Sequence, residues 1–405
     1  MPRDCVAMGW FPRRHGKQSL PSRTLMLREA IRSAWSARLV LVAGECPGRP
    51  FHHEAPCGQR GIAEVWARKI FKITRDAMVE VATRLGIKEL RDYWAAQCVP
   101  GSVGSLPQDV VKTLLAGLRL NVLETLRYLH HAKPSYAEFE AWVLERNGGE
   151  LEEASLDRLR RALAGERVSA EVGHLDDVEG LSADDLAHWD EHGYVILRNA
   201  ISKEAAEAAE MAIYDFLGVD RDDPSSWYRT SLGHSIWVPL LRHPALAANR
   251  YAPRIHKAHA QLWGREDLWV TIDQGGFNPP ERDGWHFPGP HLHWDSTLAE
   301  PHCLELQGIV YLADVAEDQG AFSCVPGFHR TLKQWLQSVP AGVGVHDHAR
   351  RTLTMKPIAA KRGDMIIWHH LLPHGSSPNR AKHPRVVQYM SLRPTRFAYT
   401  EQWKS

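Results

Sequence analysis

The sequence predicts an α+β protein in which a β sandwich or jelly roll packs against helices and an added helical region precedes it. Three observations carry this. From residue 62 to 165, apolar residues recur at helical spacing and the stops are glycines. From 181 to 218 the pattern runs helix, strand, helix. After residue 265 the chain turns into short runs of aliphatic and aromatic residues divided by Gly and Pro. Several short strands after a helical start place helices against a β layer.

In chain order, residues 1–55 are a basic tail rich in Arg, Pro and Gly, expected to be partly disordered, with one short helical pattern in TLMLREAIRSAWSARLVL. Residues 56–175 form the helical region. IAEVWARKIFKITRDAMVEVATRLG sets Val65, Ile70, Ile73, Ala77 and Val81 on one stripe and stops at Gly86. PQDVVKTLLAGLRLNVLETLRYLHH enters through Pro107 and carries leucines at helical spacing, so it reads as one helix. SYAEFEAWVLERNGG begins with a capping serine and ends in two glycines, and SLDRLRRALAGE adds a fourth short helix. Their apolar stripes require burial, and packing against the β region, with a roof over its pocket, is the expected arrangement.

Residues 166–180 are a polar linker, and 180–405 form the last domain. Ser182 and Ser202 are expected N-caps on either side of the strand YVIL. LWVTIDQ, HLHWDST, LELQGIVYLAD, AFSCVP, MIIWHH and VVQYMSL are the remaining strand candidates.

Composition narrows the function. A net charge of +1 gives no bulk attraction to nucleic acid or anionic lipid. No apolar run approaches the roughly 20 residues that span a bilayer. The six cysteines form no C-x-x-C pair, which fits a reducing compartment and an expected cytoplasmic location. The expected partner is a small-molecule substrate.

The chemistry gathers in two stretches. In GPHLHWDST, His291, His293 and Asp295 alternate, so a strand would present all three on one face. An H-x-D pair offers one imidazole and one carboxylate to a metal. A second histidine from elsewhere would complete the 2-His-1-carboxylate set that leaves positions open in non-haem Fe(II) oxygenases. GDMIIWHHLLPHGSSPNRAKHPRVVQY supplies His369, His370 and His374 as competitors. His374 precedes a Gly-Ser-Ser-Pro-Asn turn that would let backbone approach a metal. Arg385 opens the last strand and suits a bidentate carboxylate, with Arg380 as the nearby alternative. Gln307 shares a strand face with Ile309 and Tyr311. It is either a contact to cosubstrate or substrate or a satisfied core amide, and Gln274 has the same two readings.

HLHWD, QGAFSCVPGFHR, HGSSPNRAKHPR and HGYVILRNAIS together resemble the phytanoyl-CoA dioxygenase family of Fe(II)/2-oxoglutarate enzymes over roughly residues 180–395. The resemblance implies a double-stranded β-helix, cupin-like, using Fe(II), 2-oxoglutarate and O2. It implies His293, Asp295 and His374 as iron ligands, Arg385 as the clamp on the distal carboxylate of 2-oxoglutarate, and Ser376 as a second contact. Gly320, Pro326, Gly327 and His329 match a structural turn of that family. The expected reaction is hydroxylation of an unactivated C–H bond with release of succinate and CO2. Desaturation or epoxidation by the same chemistry, a cupin-like metal enzyme without 2-oxoglutarate, and a binding protein with a lapsed site are the alternatives.

Overall fold

A computed structural model describes residues 84–102, 106–169, 171–228 and 235–400. The basic tail and the helical patterns before residue 84 lie outside them.

Among the described residues five helices come first: α1 (Lys88–Cys98), α2 (Gln108–Gly117), α3 (Val122–Ala132), α4 (Tyr136–Arg146) and α5 (Glu153–Leu163). The sequence pattern missed α1 and read α2 and α3 as one helix. The break is local chemistry with a tertiary partner. Arg119 takes a left-handed φ of 51°, the Asn121 side chain caps α3 by accepting from the Glu124 N–H, and its amide donates to the Ile272 carbonyl at 2.6 Å. Gly117 is required because a Cβ there would lie 2.5 Å from Leu159 of α5. Ser135 and Glu138 form a reciprocal capping box on α4.

These helices bury one apolar cluster, including Leu90, Leu114, Phe139 and Leu159, and Trp269 of the β region belongs to it. Arg158 lies 3.6 Å from the centre of the Trp269 ring, and the Trp269 indole donates to Thr395 Oγ1 at 2.7 Å. Lys112 Nζ of α2 reaches both carboxylate oxygens of Glu305 at 2.9 Å. The helical layer is thus joined to the β region by an aromatic knob and an ion pair.

Next come α6 (Ala183–His192), β1 (Tyr194–Leu197), α7 (Lys203–Leu217), a 3-10 turn, β2 (Trp237–Val238), α8 (Pro244–Arg250), α9 (Pro253–Trp263) and β3 (Leu268–Val270). Ser182 and Ser202 accept from the backbone at the starts of α6 and α7. The chain continues with β4 (Gly275–Asn278), β5 (Leu306–Tyr311), β6 (Phe322–Cys324), α10 (Phe328–Ser338), α11 (Val345–Thr352), β7 (Lys356–Pro357), β8 (Met365–His369), β9 (His374–Ser376), β10 (Arg385–Tyr389) and β11 (Leu392–Pro394). Gly327 occupies the left-handed N-cap of α10 at φ 76°.

The strands form three antiparallel sheets: six strands in the order β1-β8-β5-β10-β4-β2, three in the order β7-β6-β9, and the pair β11-β3. Both faces of the large sheet are covered, which is why MIIWH is apolar without alternation. Met365 and Ile367 enter the core beneath α7 and α9, while Ile366 and Trp368 enter the core shared with Phe322 and Phe328. Gln307, Ile309 and Tyr311 lie on that second side, so the space between the large and three-stranded sheets receives the polar residues of the site. No helix among the described residues is long and apolar enough to cross a membrane.

Candidate metal centre and its cavity

His293, Asp295 and His374 present ligand atoms that all lie within 4.8 Å of one another. Two elements bring them there. HLHWDST is not the strand its alternation suggested. Pro290 has no N–H to donate and the chain turns at Asp295, so pairing is confined to one isolated bridge, His293 to His374, with 3.0 Å bonds in both directions. The alternation still works as an anchor. Leu292 and Trp294 are buried at 4% exposure, and the Trp294 indole donates to the Leu371 carbonyl at 2.9 Å. His293 and Asp295 are thereby turned the other way.

His374 lies not in a turn but at the start of β9, opposite Cys324 of β6. Gly375 allows this, since a Cβ there would sit 2.8 Å from the His291 carbonyl oxygen.

The imidazoles are oriented from behind. His293 Nδ1 faces the His291 carbonyl at 2.7 Å, and His374 Nδ1 faces the Leu372 carbonyl at 3.0 Å. With Nδ1–H donating to each carbonyl, each Nε2 points at the centre, where it donates to Asp295 when the ring is protonated and offers its lone pair to a metal when it is not. His293 Nε2 lies 3.2 Å from Asp295 Oδ1, and His374 Nε2 lies 3.4 Å from Oδ2. Burial opposes ionisation of Asp295, but the hydrogen bonds and charge of His293 and His374 outweigh it and hold the carboxyl far below its usual range. The same pairing raises His293 against its own burial. Two imidazoles and an ionised carboxylate are a donor set that fits a divalent transition metal.

A cavity of about 190 Å³ opens beside this set. It is lined by His293, Asp295, Gln307, Ile309, Phe322, Trp368, His374, Ser376 and Tyr389, and also by Trp237, Asp273, Gln274 and Arg393. Among the described residues, none of α1–α5 lines it.

Arg385 is completely buried, at 0% exposure. It donates to Ser376 Oγ at 3.1 Å and to the Tyr389 hydroxyl at 3.3 Å, both groups on the cavity wall. Its Nε–H has no acceptor, and no carboxylate pairs with it among the described residues. Arg380 is exposed instead. Gln307 faces the cavity with its amide engaged, donating to Asp295 Oδ2 at 2.7 Å and accepting from the Trp368 indole at 3.0 Å.

The other histidines stand apart from the cluster. The His291 ring meets Phe287 edge-on at 5.3 Å between centroids. His369 stacks on Trp189, and burial lowers its pKa to about 3. His370 is buried beside Glu305. Of the wall residues, Tyr389 was readable as the same-face neighbour of Arg385 on β10. Asp273 and Arg393 reach the cavity through tertiary structure that no local pattern marks.

Residues 189–387 match the family model "Phytanoyl-CoA dioxygenase (PhyH)". A Dictyostelium discoideum protein that bears a phytanoyl-CoA dioxygenase name is 22% identical over 258 residues, covering 51% of this chain and 74% of that one. Ectoine dioxygenase of Bordetella bronchiseptica is 23% identical over 264 residues, covering 56% and 82%. Among solved structures, HygX from Streptomyces hygroscopicus with nickel and 2-oxoglutarate bound aligns at a TM-score of 0.41 and 15% identity, covering 55% of this chain and 90% of that one. Over residues 189–387 this chain is thus similar to the phytanoyl-CoA dioxygenase family.

Proposed function

We propose that this chain is an Fe(II)- and 2-oxoglutarate-dependent dioxygenase that hydroxylates an unactivated C–H bond of a small molecule and releases succinate and CO2. The observation that carries the reading is Arg385, a fully buried guanidinium with no carboxylate partner among the described residues, behind the same cavity wall as a His-Asp-His cluster. A buried, uncompensated cation costs several kcal/mol. A dicarboxylate bound in the cavity supplies the missing charge at one end and a chelating keto acid at the other.

In this reading His293, Asp295 and His374 hold the iron, and Arg385 with Ser376 binds the distal carboxylate. Iron, 2-oxoglutarate and dioxygen together supply the oxidant that removes hydrogen from carbon. The protein's own work is positional. The two Nδ1 bonds aim the imidazoles, burial of Arg385 strengthens its attraction for a carboxylate, and the further lining residues Trp237, Asp273, Gln274 and Arg393 are left to meet substrate. The large and three-stranded sheets are read as the two walls of a double-stranded β-helix, the oxygenase domain as residues 180–405, and α1–α5 as an accessory layer.

The test is anaerobic titration of the metal-free protein with Fe(II) and then 2-oxoglutarate. His293→Ala and Asp295→Ala should each abolish tight Fe(II) retention, and 2-oxoglutarate should bind strongly only after iron. Wild-type Fe(II) retention in either variant would refute the ligand assignment.

A further inference from the structure

The Asp295 carboxylate stands on a coil segment, with its side chain 51% exposed, and its partners among the described residues are His293, His374 and Gln307. That set changes when a metal binds. Each histidine then gives its Nε2 lone pair to the metal and has no N–H left for the carboxylate, because Nδ1–H is already spent on a carbonyl. Gln307 remains as the one hydrogen-bond donor among the described residues that holds Asp295.

Gln307 is itself fixed. It stands directly opposite Trp368 in the β5–β8 register. The Trp368 indole N–H donates to Oε1 at 3.0 Å, so the amide can only present its NH2 to Asp295. Trp368 is 3% exposed and is wedged against Phe322 and His374, with ring centroids 4.3 and 5.2 Å away. The relay runs from a rigid indole through an amide to one carboxylate oxygen.

We propose that the Trp368–Gln307 pair is a positioning device for the metal: by engaging Asp295 Oδ2, it offers Oδ1 alone as ligand. The inference rests on the metal-site reading above and deepens it. A carboxylate bound through one oxygen leaves the remaining metal positions free, whereas one free to rotate can take a further position through its second oxygen. Gln307 is then a support for Asp295 rather than a contact to 2-oxoglutarate.

The experiment is Co(II) titration of the metal-free protein without cosubstrate, followed by affinity and by the ligand-field absorption of the bound ion. Gln307→Leu should weaken Co(II) by about 10- to 100-fold, the range for losing an outer partner of a metal ligand, and should change the spectrum. Trp368→Phe keeps the ring packing, frees the amide to flip, and should give the same spectral change with a smaller loss. His293→Ala separates the two levels of the account. If it retains wild-type Co(II) affinity, the metal-site reading fails. If it loses Co(II) while both relay variants, folded by circular dichroism, keep wild-type affinity and spectrum, the positioning proposal alone is overturned.

Discussion

Replacing Arg385 with methionine removes a buried positive charge while keeping a long side chain on β10. In the proposed complex that charge makes a charge-assisted pair with a carboxylate, worth on the order of 1.5–3 kcal/mol. At about 1.4 kcal/mol per decade, the KM for 2-oxoglutarate should rise about 10- to 150-fold. The complete burial of Arg385 places the loss toward the upper end. Metal-free stability should move differently. Among the described residues the guanidinium has no carboxylate partner and makes two hydrogen bonds, at 3.1 and 3.3 Å, so its removal should cost the unliganded fold little or even stabilise it. Ligand-induced stabilisation provides the assay. With 2-oxoglutarate at 100 times its wild-type Kd, the wild type gains about 2.7 kcal/mol, whereas a variant binding 100-fold more weakly gains only about 0.4 kcal/mol. Urea unfolding of the metal-loaded proteins with and without cosubstrate measures both. An unchanged KM with full stabilisation would refute the clamp.

Lys112→Met should destabilise the protein by about 1–3 kcal/mol, since it leaves the buried Glu305 carboxylate with Arg393 at 3.5 Å as its remaining ion pair; urea unfolding checks this, and KM for 2-oxoglutarate should stay unchanged. Acid should weaken the metal-free fold through His256 and His259, 1% and 0% exposed, whose pKa burial lowers to about 4. The unfolded chain, with pKa near 6.5, binds more protons between pH 6.5 and 4, so stability falls as pH drops through that window. The expected loss at pH 5 relative to pH 7.5 is about 2 kcal/mol per histidine, and a His256→Leu/His259→Leu variant should show a flatter pH profile in urea unfolding.

What the sequence made legible followed from periodicity and from residue type. The caps at Ser135, Ser182 and Ser202, the buried strands around YVIL and MIIWH, and the pairing of His293 with Asp295 rest on short-range patterns of that kind, whereas the choice of His374 over His369 and His370 comes from the family resemblance. The reading went astray where a distant partner decides. One continuous helical pattern breaks at Asn121 because its amide has Ile272 to reach. HLHWD alternates like a strand, yet only His374 bridges to it. GSSPN after His374 reads as a turn, but its Gly375 and Ser376 pair with β6. The engagement of Gln307 with Trp368 and Asp295 depends on the β5–β8 register, which local composition does not encode. In KELRDYWAAQC only Leu90 and Tyr93 are buried, too sparse an apolar stripe to announce α1.

Incubating the Fe(II)-loaded wild-type protein with 2-oxoglutarate and measuring succinate with and without dioxygen is the decisive assay of dioxygenase chemistry. The account predicts succinate that requires both iron and oxygen and is lost in Asp295→Ala. A protein that binds Fe(II) at His293, Asp295 and His374 yet forms no succinate across a broad panel of small-molecule substrates would contradict it.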